Sequence, residues 1–162
     1  AAVALFRAQA DVSGVEHLLH LRRLEGLVCG AHLQQTGDGC GLWTMNSGGG
    51  ERRLLTSVPD DARPVWSPDG RFVIFMSQAR DGNWEIYRVE VTTGTIIRMT
   101  NDPGIDGAPA ASPDGSRIVF LSNRDGAWKL WIKPMTGGPE QPLAGLGGEV
   151  SNWMEQKIQW VR

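Results

Sequence analysis

The apolar positions of the chain change rhythm near residue 38. Before it, Val15, Leu18, Leu19, Leu24, Leu27 and Val28 recur at helical spacing. They follow Ser13-Gly14-Val15-Glu16, a capping box in which Ser13 and Glu16 would satisfy the first free amides. With Gly30 as a stop, this predicts a helix over 14–29, its apolar face interrupted by Arg22 and Arg23. After residue 38, short apolar runs alternate with clusters of Gly, Pro, Asp and Asn. "RFVIFMS" (71–77) is apolar at successive positions, the mark of a strand covered on both faces. "WEIYRVEV" (84–91) predicts the next strand and "IIRMT" (96–100) a more exposed one.

These runs repeat. Ser67-Pro68-Asp69-Gly70 recurs 45 positions later as Ser112-Pro113-Asp114-Gly115, and Phe75-Met76-Ser77 as Phe120-Leu121-Ser122. One residue then drops out. Arg80-Asp81-Gly82 recurs as Arg124-Asp125-Gly126, Trp84 as Trp128, and Ile86-Tyr87 as Leu130-Trp131. Partial copies flank the two: Leu42-Trp43 with Leu55-Thr56 upstream, and Trp153 with "KIQWV" (157–161) downstream. Within each copy, Pro pre-sets the second position of the Ser-Pro-Asp-Gly turn, Asp suits the third, and Gly accepts positive φ at the fourth. Arg80-Asp81-Gly82-Asn83 and Thr92-Thr93-Gly94 mark the next two hairpins.

Four antiparallel strands per 44–45 residues is the period of a β-propeller blade. The expected fold is therefore all-β, built of such blades, about three of them in a partial or open propeller, with a short N-terminal helix. Residues 1–37 form an atypical N-terminal segment and 38–162 the repeats. Complete blades lie at about 60–100 and 106–144, and a split blade combines 38–56 with 150–162.

"PVWSPDGRFVIFMSQARDGNWEIY" (64–87) and "PAASPDGSRIVFLSNRDGAWKLW" (109–131) resemble the repeats of the TolB-like β-propeller family, WD40-like repeats with the SPDG turn. The resemblance covers 38–162, most strongly 60–144, and does not extend to 1–37. Its motif is specific for the fold and weak for function. It implies a rigid non-enzymatic scaffold, periplasmic or extracellular, that binds other proteins. Two alternatives share the fold: the accessory propeller of a prolyl-oligopeptidase-type peptidase, which gates substrate access, and a carbohydrate or small-ligand module. Closed propellers typically have four to eight blades, so three blades leave three routes: a fragment of a longer protein, self-association of two chains into a six-bladed ring, or strands or a helix from 1–37 that fill the gap.

Composition narrows the chemistry. A net charge of −2 over 162 residues makes no electrostatic case for nucleic acid. No apolar run reaches the 18 or more residues of a membrane span, and "AAVALFRAQA" lacks the basic-then-apolar layout of a signal peptide. Cys29 and Cys40 are too few for a disulfide scaffold, and their pairing stays open. His17, His20, Cys29, His32 and Cys40 have a superficial zinc spacing, but read better as polar positions and a core thiol on a helix. There is no G-x-S-x-G elbow, so no catalytic residue, cofactor or metal is assigned.

The recurring Asp69, Asp114, Asp81 and Asp125 precede Gly in turns and are expected to bond their own following amides. Arg80 and Arg124 are expected to brace the blades, and Trp66, Trp84, Trp128 and Trp131 to pack between them. The segment "NDPGIDGAP" (101–109) joins two blades. Its Asn101, Asp102 and Asp106 are the candidate contacts for a protein partner, or for a cation.

Overall fold

The computed structural model describes residues 3–7, 23–27, 40–45, 51–147 and 150–161. Among them, thirteen strands form four antiparallel sheets. β5 (Ala62–Trp66), β6 (Phe72–Ser77), β7 (Glu85–Glu90) and β8 (Ile96–Arg98) pair in sequence order. β9 (Asp106–Ala111), β10 (Arg117–Ser122), β11 (Lys129–Pro134) and β12 (Gln141–Gly145) do the same. These two sheets coincide with the two full copies of the repeat, and we call them the first and second blade.

The runs apolar on both faces are explained by what lies on each side. In the first blade, Val73, Phe75, Tyr87 and Val89 pack against Leu42 and Leu55 of the preceding sheet. Ile74, Met76 and Ile86, on the opposite face, pack against Ile118, Phe120 and Trp131 of the second blade. Val119, Leu121 and Leu130 then face Ile158. Each middle strand is thus sandwiched between two neighbours, and Phe75 and Phe120 have no exposure at all. Full burial of such a side chain stabilises by about 1.5–3 kcal/mol.

The Ser-Pro-Asp-Gly turns have the same geometry twice. Ser67 Oγ donates to Asp69 Oδ1 at 2.6 Å and accepts from the Phe72 amide at 2.9 Å. Ser112 Oγ donates to Asp114 Oδ1 at 2.6 Å and accepts from the Arg117 amide at 2.9 Å. Gly70 (φ 69°) and Gly115 (φ 70°) occupy the left-handed position that closes the turn. Pro68 and Pro113 stand exposed at the second position. Hydrogen bonding pulls Asp114 down to about 2, with Ser112 as the main cause, and lowers Asp69 through Ser67.

The N-terminal segment differs from the sequence pattern. Arg23–Leu27, inside the predicted helix 14–29, form strand β2, which pairs with β3 (Gly41–Met45), itself paired with β4 (Arg53–Leu54). Val3–Arg7 form β1, paired with β13 (Lys157–Val161). Helical spacing and a capping box are weak local signals, and strand pairing overrides them here. The rest of 14–29, with His17, His20 and Cys29, lies outside the described residues, as does His32. Residues 3–7 and 23–27 therefore supply strands. β13 takes β1 as its partner, and β3 takes β2. Trp153 lies in a 3-10 turn, Trp153–Glu155, not in a strand. Cys40 is disulfide-bonded.

Arg63 (φ 53°) and Ala108 (φ 48°) stand at equivalent positions in the first strands of the two blades. Both strands carry a register irregularity against the strand that follows. This is a repeated bulge on non-glycine residues, a local strain written twice.

Candidate functional site

Antiparallel order sends the turns to two opposite ends of each blade. One end carries the Ser-Pro-Asp-Gly turns and the turn before β8. The other carries the turns after β6 and β10 (78–84 and 123–128) and the connection between blades (101–105). The candidate loop lies at this second, connecting end.

Each blade has an arginine clamp there, closed on a buried aspartate. Arg80 donates from Nε to Asp61 Oδ1 at 2.9 Å and from Nη2 to Asp61 Oδ2 at 2.5 Å. On the way its guanidinium lies 5.4 Å from the Phe75 ring centroid and 5.5 Å from that of Tyr87. The two rings are stacked on each other at 5.6 Å. In the second blade Arg124 lies over Phe120 and, at 4.6 Å, over Trp131, and reaches Asp106 Oδ2 at 2.7 Å. The equivalences Phe75/Phe120 and Tyr87/Trp131 are those of the repeat. Arg80 and Arg124 thus engage an aspartate of their own blade's beginning, not a turn aspartate. Among the turn residues, Asp69 and Asp114 do accept their own following amides. Asp81 instead accepts from the Tyr87 hydroxyl and pairs with Arg98 at 3.3 Å, and Asp125 pairs with Lys129 at 2.9 Å.

The connection is fixed between the two clamps. Asn83 Nδ2 donates to the carbonyls of Asp102 (2.9 Å) and Gly104 (2.7 Å). Asn123 Oδ1 accepts from the Ile105 amide at 2.7 Å, and the Trp84 carbonyl accepts from the Asp106 amide at 2.9 Å. Gly104 lies so close to the backbone of Arg124 that a Cβ there would run into it. Behind the loop, buried Glu85 accepts from Thr100 Oγ1 at 2.7 Å and pairs with Arg98 at 2.9 Å.

The three candidate residues therefore separate. Asn101 is exposed. Asp102 is half-buried, caps the Gly104 amide at 2.7 Å and pairs with Arg124 at 2.7 Å. Asp106 is fully buried, and burial pushes its carboxyl up to about 6 against the opposing pull of Ser122 and Arg124. Among the described residues no group of three His, Cys, Asp or Glu side chains is placed to hold a metal ion. Asp102 and Asp106 are spent on Arg124.

The aromatic residues add a feature that spacing did not reveal. Trp84 and Trp128, half-buried equivalents, are joined by Trp153, edge-on to the first at 5.6 Å and stacked on the second at 5.8 Å. Trp66 and Trp131 pack in the inter-blade clusters. The turn carrying Trp153 is tied to the first blade, where Arg63 Nε donates to the Met154 carbonyl. Gly107 makes room for the Trp153 ring. Asp61, Glu85 and Glu140 also escaped the sequence reading. Only the fixed separation of Asp61 from Asp106, which matches that of the repeat, could have pointed to the first of them.

Comparison with known proteins agrees with the repeat. The TolB beta propeller domain family matches residues 49–156. The Tol-Pal system protein TolB of Francisella tularensis subsp. tularensis is 42% identical over 63 residues, which are 39% of this chain and 14% of that protein. The crystal structure of TolB from Acinetobacter baumannii superposes with a TM-score of 0.59 and 32% identity, over 65% of this chain and 27% of that one. Oligogalacturonate lyase from Vibrio parahaemolyticus shares the fold alone, with a TM-score of 0.52 and 17% identity over 72% of this chain and 33% of that one. The chain thus spans well under half the length of these relatives.

Proposed function

Because the chain belongs to the TolB β-propeller family, we propose that it is a non-enzymatic scaffold whose connecting end binds a protein partner. Asn101 makes contact there, and Asp102 and Asp106 hold its loop in place. The observation that carries the reading is the doubly clamped connection. Asn83, Asn123 and Trp84 fix the backbone of 102–106 from both blades, and Arg124 holds the Asp102 side chain. A loop held this way presents its exposed side chain with little ordering cost on binding. The half-buried Trp84, Trp128 and Trp153 beside it offer the rigid aromatic area that protein contacts favour. The disulfide at Cys40 fits an oxidising compartment outside the cytoplasm. Among the described residues no helix is long and apolar enough to cross a membrane.

The test is capture from an extract of the source organism by the intact protein and by two variants. Asn101→Arg alters the connecting end, and Thr93→Arg the opposite end. The reading expects Asn101→Arg to lose a specific partner and Thr93→Arg to keep it. The reverse pattern, or equal capture by both, overturns it. Incubation with oligogalacturonate should release no unsaturated product; release would assign an activity and remove the scaffold reading.

A further inference from the structure

Three carboxylates and two cations share one largely dry space at the connecting end of the second blade. Arg124 Nη2 lies 2.7 Å from an oxygen of Asp102 and 2.7 Å from one of Asp106. Its Nη1 pairs with Glu140, whose other oxygen is 2.8 Å from Lys133 Nζ. The Asp106 side chain has no exposure, and Arg124, Lys133, Glu140 and Asp102 have 11%, 12%, 16% and 17%. With every group ionised the cluster carries one uncompensated negative charge. Such a charge out of water is costly, and the usual relief is to take up a proton.

Burial locates that proton, because Asp106 alone of the three carboxylates has no exposure. Asp106 Oδ1 is buried without a well-formed hydrogen bond, while Oδ2 faces Arg124. The neighbouring Ser122 hydroxyl accepts from Arg124 Nε at 3.0 Å and, at 3.3 Å, from the Arg124 amide, which leaves its own proton to donate toward Asp106. That hydroxyl offsets only part of the cost of burying the carboxylate, and one proton on Asp106 removes the excess charge of the cluster.

We propose that this cluster binds a single proton, at Asp106, and acts as a pH-sensitive clasp on the loop that joins the two blades. With the proton bound, the charges balance and the loop 101–105 is drawn tight between Arg124 and Asn83. Without it, Asp102, Asp106 and Glu140 compete for one guanidinium and the loop loosens. The charges on the other elements packed around β9 are engaged elsewhere. Glu85 of β7 is held by Arg98 and Thr100, and Arg63 of β5 by the Met154 carbonyl with Glu155 nearby. Lys157 of β13 is exposed, and β6 brings the uncharged Ser77. The direction is consistent with the burial that lifts the Asp106 carboxyl to about 6. A carboxyl raised on folding gives up stability as pH climbs from its ordinary range, about 3.9, through its folded value. The clasp is therefore tighter on the acid side.

The proposal concerns regulation of the loop that the partner reading uses, but it is measured without any partner, so the two can fail separately. Carboxyl-detected NMR on the intact chain from pH 4 to 8 should show Asp106 titrating near the value above. Amide exchange of 102 and 104–106, corrected for its intrinsic pH dependence, should slow several-fold as Asp106 takes its proton. Asp102→Asn removes a neighbouring negative charge and should move the Asp106 midpoint down by about half a unit or more. Asp106→Asn should flatten the loop's pH dependence; if that variant fails to fold, the Asp102→Asn shift and the wild-type titration still decide. An Asp106 midpoint below about 4.5, a midpoint unmoved in Asp102→Asn, or loop exchange without a step would overturn the clasp.

Discussion

Replacing Arg80 by methionine isolates the electrostatic part of the first blade's clamp. Methionine keeps the apolar stem over Phe75 and Tyr87 while deleting both hydrogen bonds to Asp61. The two partners are unequally buried: the Asp61 side chain has no exposure and that of Arg80 has 18%. Loss of Arg80 thus strands a carboxylate that cannot reach water, and breaking a buried pair in this way costs about 3–5 kcal/mol. Asp61→Asn leaves a guanidinium that can turn outward, so its cost is that of a charged hydrogen bond, about 1.5–3 kcal/mol. Against a total stability of about 5–15 kcal/mol, Arg80→Met should still fold, with a midpoint lower by on the order of 10 °C. Urea unfolding at neutral pH reads both variants. The deficit of Arg80→Met should shrink on acidification, because a proton then neutralises the charge stranded out of water. Arg80→Met/Asp61→Leu should recover much of the loss. The reasoning fails if Arg80→Met costs under about 1 kcal/mol, or if Asp61→Asn costs more than Arg80→Met.

The repeat makes Ser67→Ala and Ser112→Ala a matched pair. Each orphans the amide of Phe72 or Arg117 in the same geometry, so each should cost about 1–3 kcal/mol by denaturation, and a large difference between them would contradict the equivalence. Gly107→Ala places a methyl in the Trp153 ring and should displace it from Trp84 and Trp128, weakening the exciton signal of the tryptophans in circular dichroism; an unchanged spectrum would show that the turn does not depend on this contact. Tyr87, the chain's single tyrosine, is raised well above the ordinary phenol range, first by burial and then by its hydrogen bond to Asp81. Alkaline difference absorbance should therefore show no phenolate until the protein unfolds, and a normal titration near pH 10 in the folded state would remove that hydrogen bond from the account.

The legible parts of this fold are those written twice. Ser-Pro-Asp-Gly encodes its turn locally, through Pro at the second position and a serine that closes the loop on itself, so two copies sufficed to mark two blades. Runs such as Phe72–Ser77 announced burial on both faces, because each face meets a different neighbour. Arg80 and Arg124 stood out as recurrent, but their partners Asp61 and Asp106 lie 19 and 18 positions back and carry no local signal. Strand β2 was hidden for a related reason. Its pairing with β3 is a long-range choice, whereas the capping box and leucine spacing around it are local cues of the wrong sign. The bulges at Arg63 and Ala108 were invisible because neither left-handed position is itself a glycine. In the candidate loop, Asn101, Asp102 and Asp106 look alike as polar loop residues. Only burial separates the exposed amide from the two carboxylates committed to Arg124.

Amide hydrogen exchange of the chain, alone and with a captured protein partner, tests the central claim most directly. The account predicts new protection at 78–84, 101–105 and 123–128, with the Ser-Pro-Asp-Gly turns at 67–70 and 112–115 unchanged. Protection confined to those turns, or to the outer strands β8 and β12, would place the interaction elsewhere and contradict it.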